Sequence, residues 1–225
     1  MRKKILLVVF TLFFSKNVFA QAREIIKEFT KNINAVQLER QSVYTLGNAP
    51  LSEDCTVFMQ EDYFLGPLGQ TVMSQMMSSP ENYKYLLHGG SVNKYCPKYP
   101  NLKGREKVLV WVMIMTVMAQ FESTCRKGAS GSGPNGTAYG YFQLHVGKEQ
   151  NYKGGSACPK NASLDPKSAT KCALAMLENQ MQRTGGDLFS EYSYWEVLMP
   201  SKKIGKAHQI ANAIKRLSLC NPNMM

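Results

Sequence analysis

The sequence predicts a mainly α-helical domain with a small β/loop region. Three observations predict it. From Val108 to Phe121 only Thr116 and Gln120 are polar, and apolar residues on every side mark a helix buried all round. Lys167 to Arg183 places Ala173, Leu174, Met176, Leu177 and Met181 at helical spacing, the pattern of an amphipathic helix. Between them, five glycines from Gly128 to Gly140 (GASGSGPNGTAYG) lead into a compact aromatic turn, a loop whose glycines let backbone approach a ligand closely.

Taken in order, residues 1 to 20 read as a secretory signal. Arg2, Lys3 and Lys4 are its basic end, Ile5 to Phe14 its apolar core, and Val18-Phe19-Ala20 its cleavage site. The apolar core is too short to span a bilayer, so no stable membrane insertion is expected after cleavage. Removing it takes away four cations (Arg2, Lys3, Lys4, Lys16) and lowers the net charge from +11 to +7. That balance favours approach to an anionic polymer. Lys and Arg are scattered rather than striped and form no nucleic-acid motif, so nucleic acid is not the expected partner.

Residues 21 to 100 are expected to form an N-terminal helical extension. Ala22 to Arg40 has helical spacing, Gly47 to Pro50 breaks it, and a Gly66-Pro67 turn precedes a Met-rich helix reaching Met77. Residues 101 to 225 are expected to form a second domain, built around the buried helix. Pro166 after Asp165 marks a helix start with Asp165 as N-cap, and Gly185-Gly186 ends that helix. Ala207 to Leu219 reads as a last helix.

Six cysteines, Cys55, Cys96, Cys125, Cys158, Cys172 and Cys220, imply disulfides in an exported chain. Cys158 and Cys172 flank one short segment and are expected to pair. The partner of Cys125 stays open, with Cys96 and Cys220 as candidates. Without Cys-x-x-Cys and with three scattered histidines, no zinc site is expected.

Glu122 stands at the end of the apolar run, and Arg126, Lys127 and Gly128 read as the helix C-terminus. Apolar surroundings and the negative end of the helix dipole both disfavour an ionised carboxylate there. A carboxyl group kept protonated near neutral pH is what general-acid catalysis needs. The competing bland reading is an exposed Glu122–Arg126 pair, worth little to the helix.

Glu122-Ser123 followed by Gly140-Tyr141-Phe142-Gln143-Leu144 resembles the signature of soluble lytic transglycosylases, in the lysozyme-like superfamily. Their pattern is Glu-Ser and then Gly-Leu-Met-Gln. Leu164-Asp165-Pro166 and the helix from Lys171 to Gln180 are similar to that family's downstream segment, so the resemblance runs from Arg105 to about Arg216. Tyr194 matches a family tyrosine, but Trp195 stands where the family has asparagine.

The resemblance implies a lysozyme-like helical domain that cleaves peptidoglycan glycan strands as a monomer, without cofactor or metal. Glu122 would be the general acid/base at the bond between N-acetylmuramic acid and N-acetylglucosamine. Ser123, Tyr141, Gln143 and Tyr194 would contact or orient substrate, and apart from the resemblance the flat rings of Tyr194 and Trp195 suit stacking on sugars. His145 is expected to be structural. Between Ser123 and Ser190 the acids are Glu149, Asp165, Glu178 and Asp187. None is an obvious second catalytic carboxylate, which favours a transglycosylase, needing one, over a hydrolase, needing two. Glu149 and Asp187 are the candidates that would make it a hydrolase. A non-catalytic wall-binding protein is the reading of another class.

Overall fold

A computed structural model describes residues 45–46, 49–60, 63–201 and 206–221. The expected signal and the Ala22–Arg40 helix lie outside the described residues. A short antiparallel pair, β1 (Thr45–Leu46) and β2 (Ala49–Pro50), comes first. It is followed by helix α1 (Pro67–Ser78), short helix α2 (Lys84–His88) and the long helix α3 (Gly104–Ser123). Three strands come next: β3 (Ser130–Gly133), β4 (Gly136–Tyr139) and β5 (Leu144–His145). Helices α4 (Pro166–Arg183) and α5 (Ala207–Lys215) complete the fold. The protein is mainly α with one three-stranded antiparallel sheet in the order β3-β4-β5.

Helix α3 is the axis. Val108 and every residue from Val110 to Ala119 are buried, because α1, α2 and α5 surround it. Trp111 Nε1 donates to Leu86 O at 2.9 Å and to Tyr99 Oη at 2.8 Å. A buried indole N–H without an acceptor would be costly, so this pair of acceptors fixes the helix rotationally. Pro67 sits at the start of α1, where its missing N–H costs nothing. Asp165 caps α4 by accepting from Ser168 N at 2.8 Å, as its position before a proline predicts. Helix α5 ends at Lys215, shorter than expected.

The 100/101 boundary has no counterpart in the structure. One contact-dense unit runs from Ser42 to Met225, and Phe58, Val72, Met76, Leu86 and Val92 lie in the same core as α3. Two disulfides cross the expected boundary. Cys55 pairs with Cys125 and Cys96 with Cys220, while Cys158 pairs with Cys172 as expected. The partner of Cys125 is therefore neither Cys96 nor Cys220. Cys55 lies in the 3-10 turn Glu53–Val57, which packs against α3. Three disulfides fit an oxidising compartment. Among the described residues no helix is long and apolar enough to cross a membrane.

Candidate active site

Helix α3 ends one residue past Glu122, earlier than the basic pair Arg126-Lys127 suggests. Thr124 and Cys125 both adopt the left-handed conformation (φ 55° and 56°), and their N–H groups bond Gln120 O and Ala119 O. Two successive non-glycine residues at positive φ cost about 1 kcal/mol or more each. The Cys55–Cys125 bridge holds them there. Arg126 Nε donates to Ser123 O at 3.3 Å. Among the described residues no ion pair joins Arg126 to Glu122, so the bland reading of Glu122 has no support.

Glu122 faces a groove of about 410 Å³, lined also by Phe121, Gln143, His145, Tyr194, Glu196 and Lys206. Burial pushes its carboxyl pKa up from 4.5, the negative charge of Glu196 pushes it further, and it reaches about 7. Desolvation disfavours the carboxylate, and a like charge nearby adds to it. Glu122 therefore keeps its proton to a far higher pH than an ordinary carboxyl group, at a site open to ligand.

The glycine-rich stretch is not an irregular loop. Ser130 pairs with Tyr139 and Gly133 with Gly136, so Pro134-Asn135 forms a two-residue hairpin turn, closed by Gly136 at φ 115°. Lys148 Nζ donates to Asn135 O at 2.6 Å, and Asn135 lines the groove. Asn135 and Ala138 thus make the hairpin part of the groove wall.

The predicted site residues part company in the turn from Gly140 to Leu144. Gln143 is left-handed (φ 47°) and lies in the groove with Glu122. Its Nε2 donates to Gly140 O at 2.8 Å and to Ala129 O at 3.1 Å. Both amide hydrogens serve its own loop, so only the side-chain oxygen is left to meet a ligand. Ser123 is buried, with its hydroxyl between Ala119 O (2.9 Å) and Tyr141 O (3.0 Å). It locks the turn to the helix end and does not line the groove.

Tyr141 also stands away from Glu122. It is 6% exposed and packs edge-on to Phe58 at 5.5 Å. It faces a separate hollow with Asp54 and Arg126. Trp195 is 2% exposed, and its Nε1 donates to Phe142 O at 2.9 Å. It backs the groove wall and offers no open ring face for stacking.

Tyr194 is in the groove. Its hydroxyl donates to Gln143 O at 3.0 Å and accepts from His145 N at 3.2 Å. His145 Nδ1 lies 2.8 Å from both the Tyr194 and the Tyr152 hydroxyls. Burial, and then the Lys148 ammonium, lower the His145 pKa, so the ring is neutral at neutral pH. This network fixes the Gln143 carbonyl beside Glu122.

Neither candidate second acid reaches the groove. Glu149 is 1% exposed, and its Oε1 accepts from Ser163 N (3.0 Å) and Ser163 Oγ (2.6 Å). Burial raises its pKa, but the hydrogen bonds, chiefly those from Ser163, outweigh that and hold it below the ordinary value. Asp187 is exposed and accepts from Phe189 N at the far end of α4. The acid that does share the groove is Glu196, which a count ending at Ser190 passes over. Lys206, whose ammonium lies 5.4 Å from the Phe121 ring centroid, was missed as well. The one signal for Glu196 is its place directly after Tyr194-Trp195. Among the described residues no group of three or more His, Cys, Asp or Glu could hold a metal ion.

No protein-family model and no curated protein matches the chain. Among solved structures, wild-type DslA (Bd0314) from Bdellovibrio is similar at 22% identity and a TM-score of 0.55. The match covers 69% of this chain and 91% of that one. Two single Glu-to-Gln variants of DslA match over the same shares at 21% identity and a TM-score of 0.55. At this identity the likeness is one of fold.

Proposed function

We propose that this protein is an exported, lysozyme-like enzyme that cleaves the glycan strand of peptidoglycan, with Glu122 as general acid. The observation that carries the reading is Glu122 itself: a carboxyl group with a pKa near 7 in an open groove. Bound between the walls, a glycosidic oxygen takes the Glu122 proton as its bond to the sugar breaks. Gln143, with its donors spent on the loop, offers its oxygen to a sugar amide N–H. Three disulfides support export to a periplasm or the exterior.

After cleavage Glu122 carries the negative charge and can act as base. In a lytic transglycosylase it takes the proton of the sugar's own 6-hydroxyl, which closes an anhydro ring. Glu196 favours a second reading. A further carboxylate in the same groove is what a hydrolase of the lysozyme type needs to activate water or stabilise the cation. Mass spectrometry of digested sacculi separates the two. Anhydro ends mark transglycosylation, and reducing ends that carry one added water mark hydrolysis. If the wild type releases neither, or Glu122→Gln releases as much as the wild type, Glu122 is not the catalyst. Binding of sacculi without release would then identify a wall-binding protein.

A further inference from the structure

A second hollow of about 370 Å³ adjoins the groove, and Asn135, His145, Tyr194 and Trp195 line both. The two are reaches of one cleft, and their charges differ. The reach around Glu122 carries two carboxyl groups, Glu122 and Glu196, and the ammonium of Lys206. The far reach carries Lys153 and Arg183 and has no Asp or Glu in its lining.

Both cations are exposed. Arg183 Nε is bonded to Asn179 Oδ1 at 2.8 Å, which orients the guanidinium while its terminal nitrogens meet no acceptor among the described residues. Lys153 likewise has no acidic partner among the described residues. The two stand on different elements, Arg183 on the last turn of α4 and Lys153 between two 3-10 turns. The Cys158–Cys172 bridge ties the segment after Lys153 back to α4. Tyr192, 80% exposed, also lines this reach and presents a ring face of the kind sugars stack on.

We infer that the far reach is an anion subsite. It takes the carboxylate of an acidic substituent projecting from a saccharide strand whose scissile bond lies at Glu122. The inference rests on the glycan-strand reading of the cleft. Its logic is charge complementarity. A guanidinium and an ammonium without counter-ions attract a carboxylate, and the arginine can bind it with two parallel N–H groups. In the other reach the Glu196 carboxylate disfavours the same group. The strand is thereby oriented, with its acidic substituent on the α4 side and its neutral sugar ring beside Glu122. In peptidoglycan such a carboxylate comes either from the lactyl ether of the muramic sugar or from the peptide stem attached to it.

The test uses the full chain carrying Glu122→Gln, so that strands are held uncut, and calorimetric titration with three soluble ligands. They are a neutral chito-oligosaccharide, a peptide-stripped muramyl strand with free lactyl carboxylates, and a strand with peptide stems. Acidic strands are expected to bind about ten-fold more tightly than the neutral one, as two exposed charge-assisted contacts allow. Preference for the stripped strand assigns the lactyl group, and preference confined to the stem-bearing strand assigns the peptide. Adding Lys153→Ala and Arg183→Ala is expected to collapse the acidic-to-neutral ratio, while Lys153→Arg with Arg183→Lys retains part of it. A ratio near one in the parent, or a ratio the double alanine variant leaves unchanged, overturns the subsite. Digestion of sacculi by the protein with Glu122 intact is scored separately. Cleavage without an acidic preference overturns the subsite and spares the enzymatic reading, and preference without cleavage does the reverse.

Discussion

Replacing Glu122 by Gln should make the protein more stable at pH 8 but not at pH 4. In the native state the Glu122 pKa is raised from 4.5 to about 7, first by burial and then by Glu196. The native protein therefore holds this proton more tightly than the unfolded chain does. Stability linked to the proton is fully present below pH 4.5 and is lost as pH rises through 7. Above that, a shift of this size costs at most about 3 kcal/mol, since each pKa unit is worth about 1.4 kcal/mol. The groove admits water to the carboxylate, so we expect about 2 kcal/mol. Glutamine keeps the shape and never ionises, so the variant escapes the cost.

The assay is urea unfolding with disulfides intact, for wild type and variant, at pH 4 and pH 8. The difference between the two proteins should change by about 2 kcal/mol between those pH values, which moves the midpoint by roughly 1 M at ordinary urea slopes. A difference that stays within about 0.5 kcal/mol across the range would refute the claim that Glu122 is held uncharged. The same titration should set the alkaline limb of activity near pH 7, where the acid loses its proton.

Glu196→Gln removes the second cause of the Glu122 shift, so the alkaline limb of kcat/KM should move to lower pH; a limb that stays put denies the coupling. Tyr194→Phe strips the hydroxyl that serves Gln143 O and His145 N. It should cost about 1–3 kcal/mol in thermal unfolding and reduce cleavage with far-UV circular dichroism unchanged. Glu149→Gln should cost about 1–3 kcal/mol at pH 7 by weakening the bonds from Ser163. That loss should shrink as pH falls through the depressed native pKa, because stability from a lowered carboxylate pKa is present above 4.5 and disappears in acid. Gly90→Ala places a Cβ 2.1 Å from Gly186 O at a φ of +49°, and should cost about 3 kcal/mol or more, or abolish folding.

What the sequence disclosed follows from range. The apolar run at 108–121 has no surface to share, so burial on all sides was legible from the run alone. Asp165 before Pro166 is a local capping signal, and Cys158 and Cys172 are close enough in sequence to suggest their bridge. The glycine-rich hairpin was not legible as strands, because Ser130–Gly133 has no β-forming side chains and is held by pairing with β4, itself pinned to β5. Tyr141 and Gln143 could not be parted without the backbone angle of Gln143. Glu196 and Lys206 reach the groove from beyond α4, and Cys55 reaches α3 from 70 positions away. Such meetings belong to packing and leave no local trace.

The pairing of Cys55 with Cys125 and of Cys96 with Cys220 interleaves along the chain. A polypeptide oxidised as it emerges amino end first presents Cys55 and Cys96 together before either proper mate exists. The premature 55–96 crosslink is then the kinetically favoured error, and a thiolate, from a later cysteine or from another molecule, must attack it to undo it. A host that supplies an oxidant without a shuffling catalyst should therefore accumulate scrambled isomers, and one that supplies both should not.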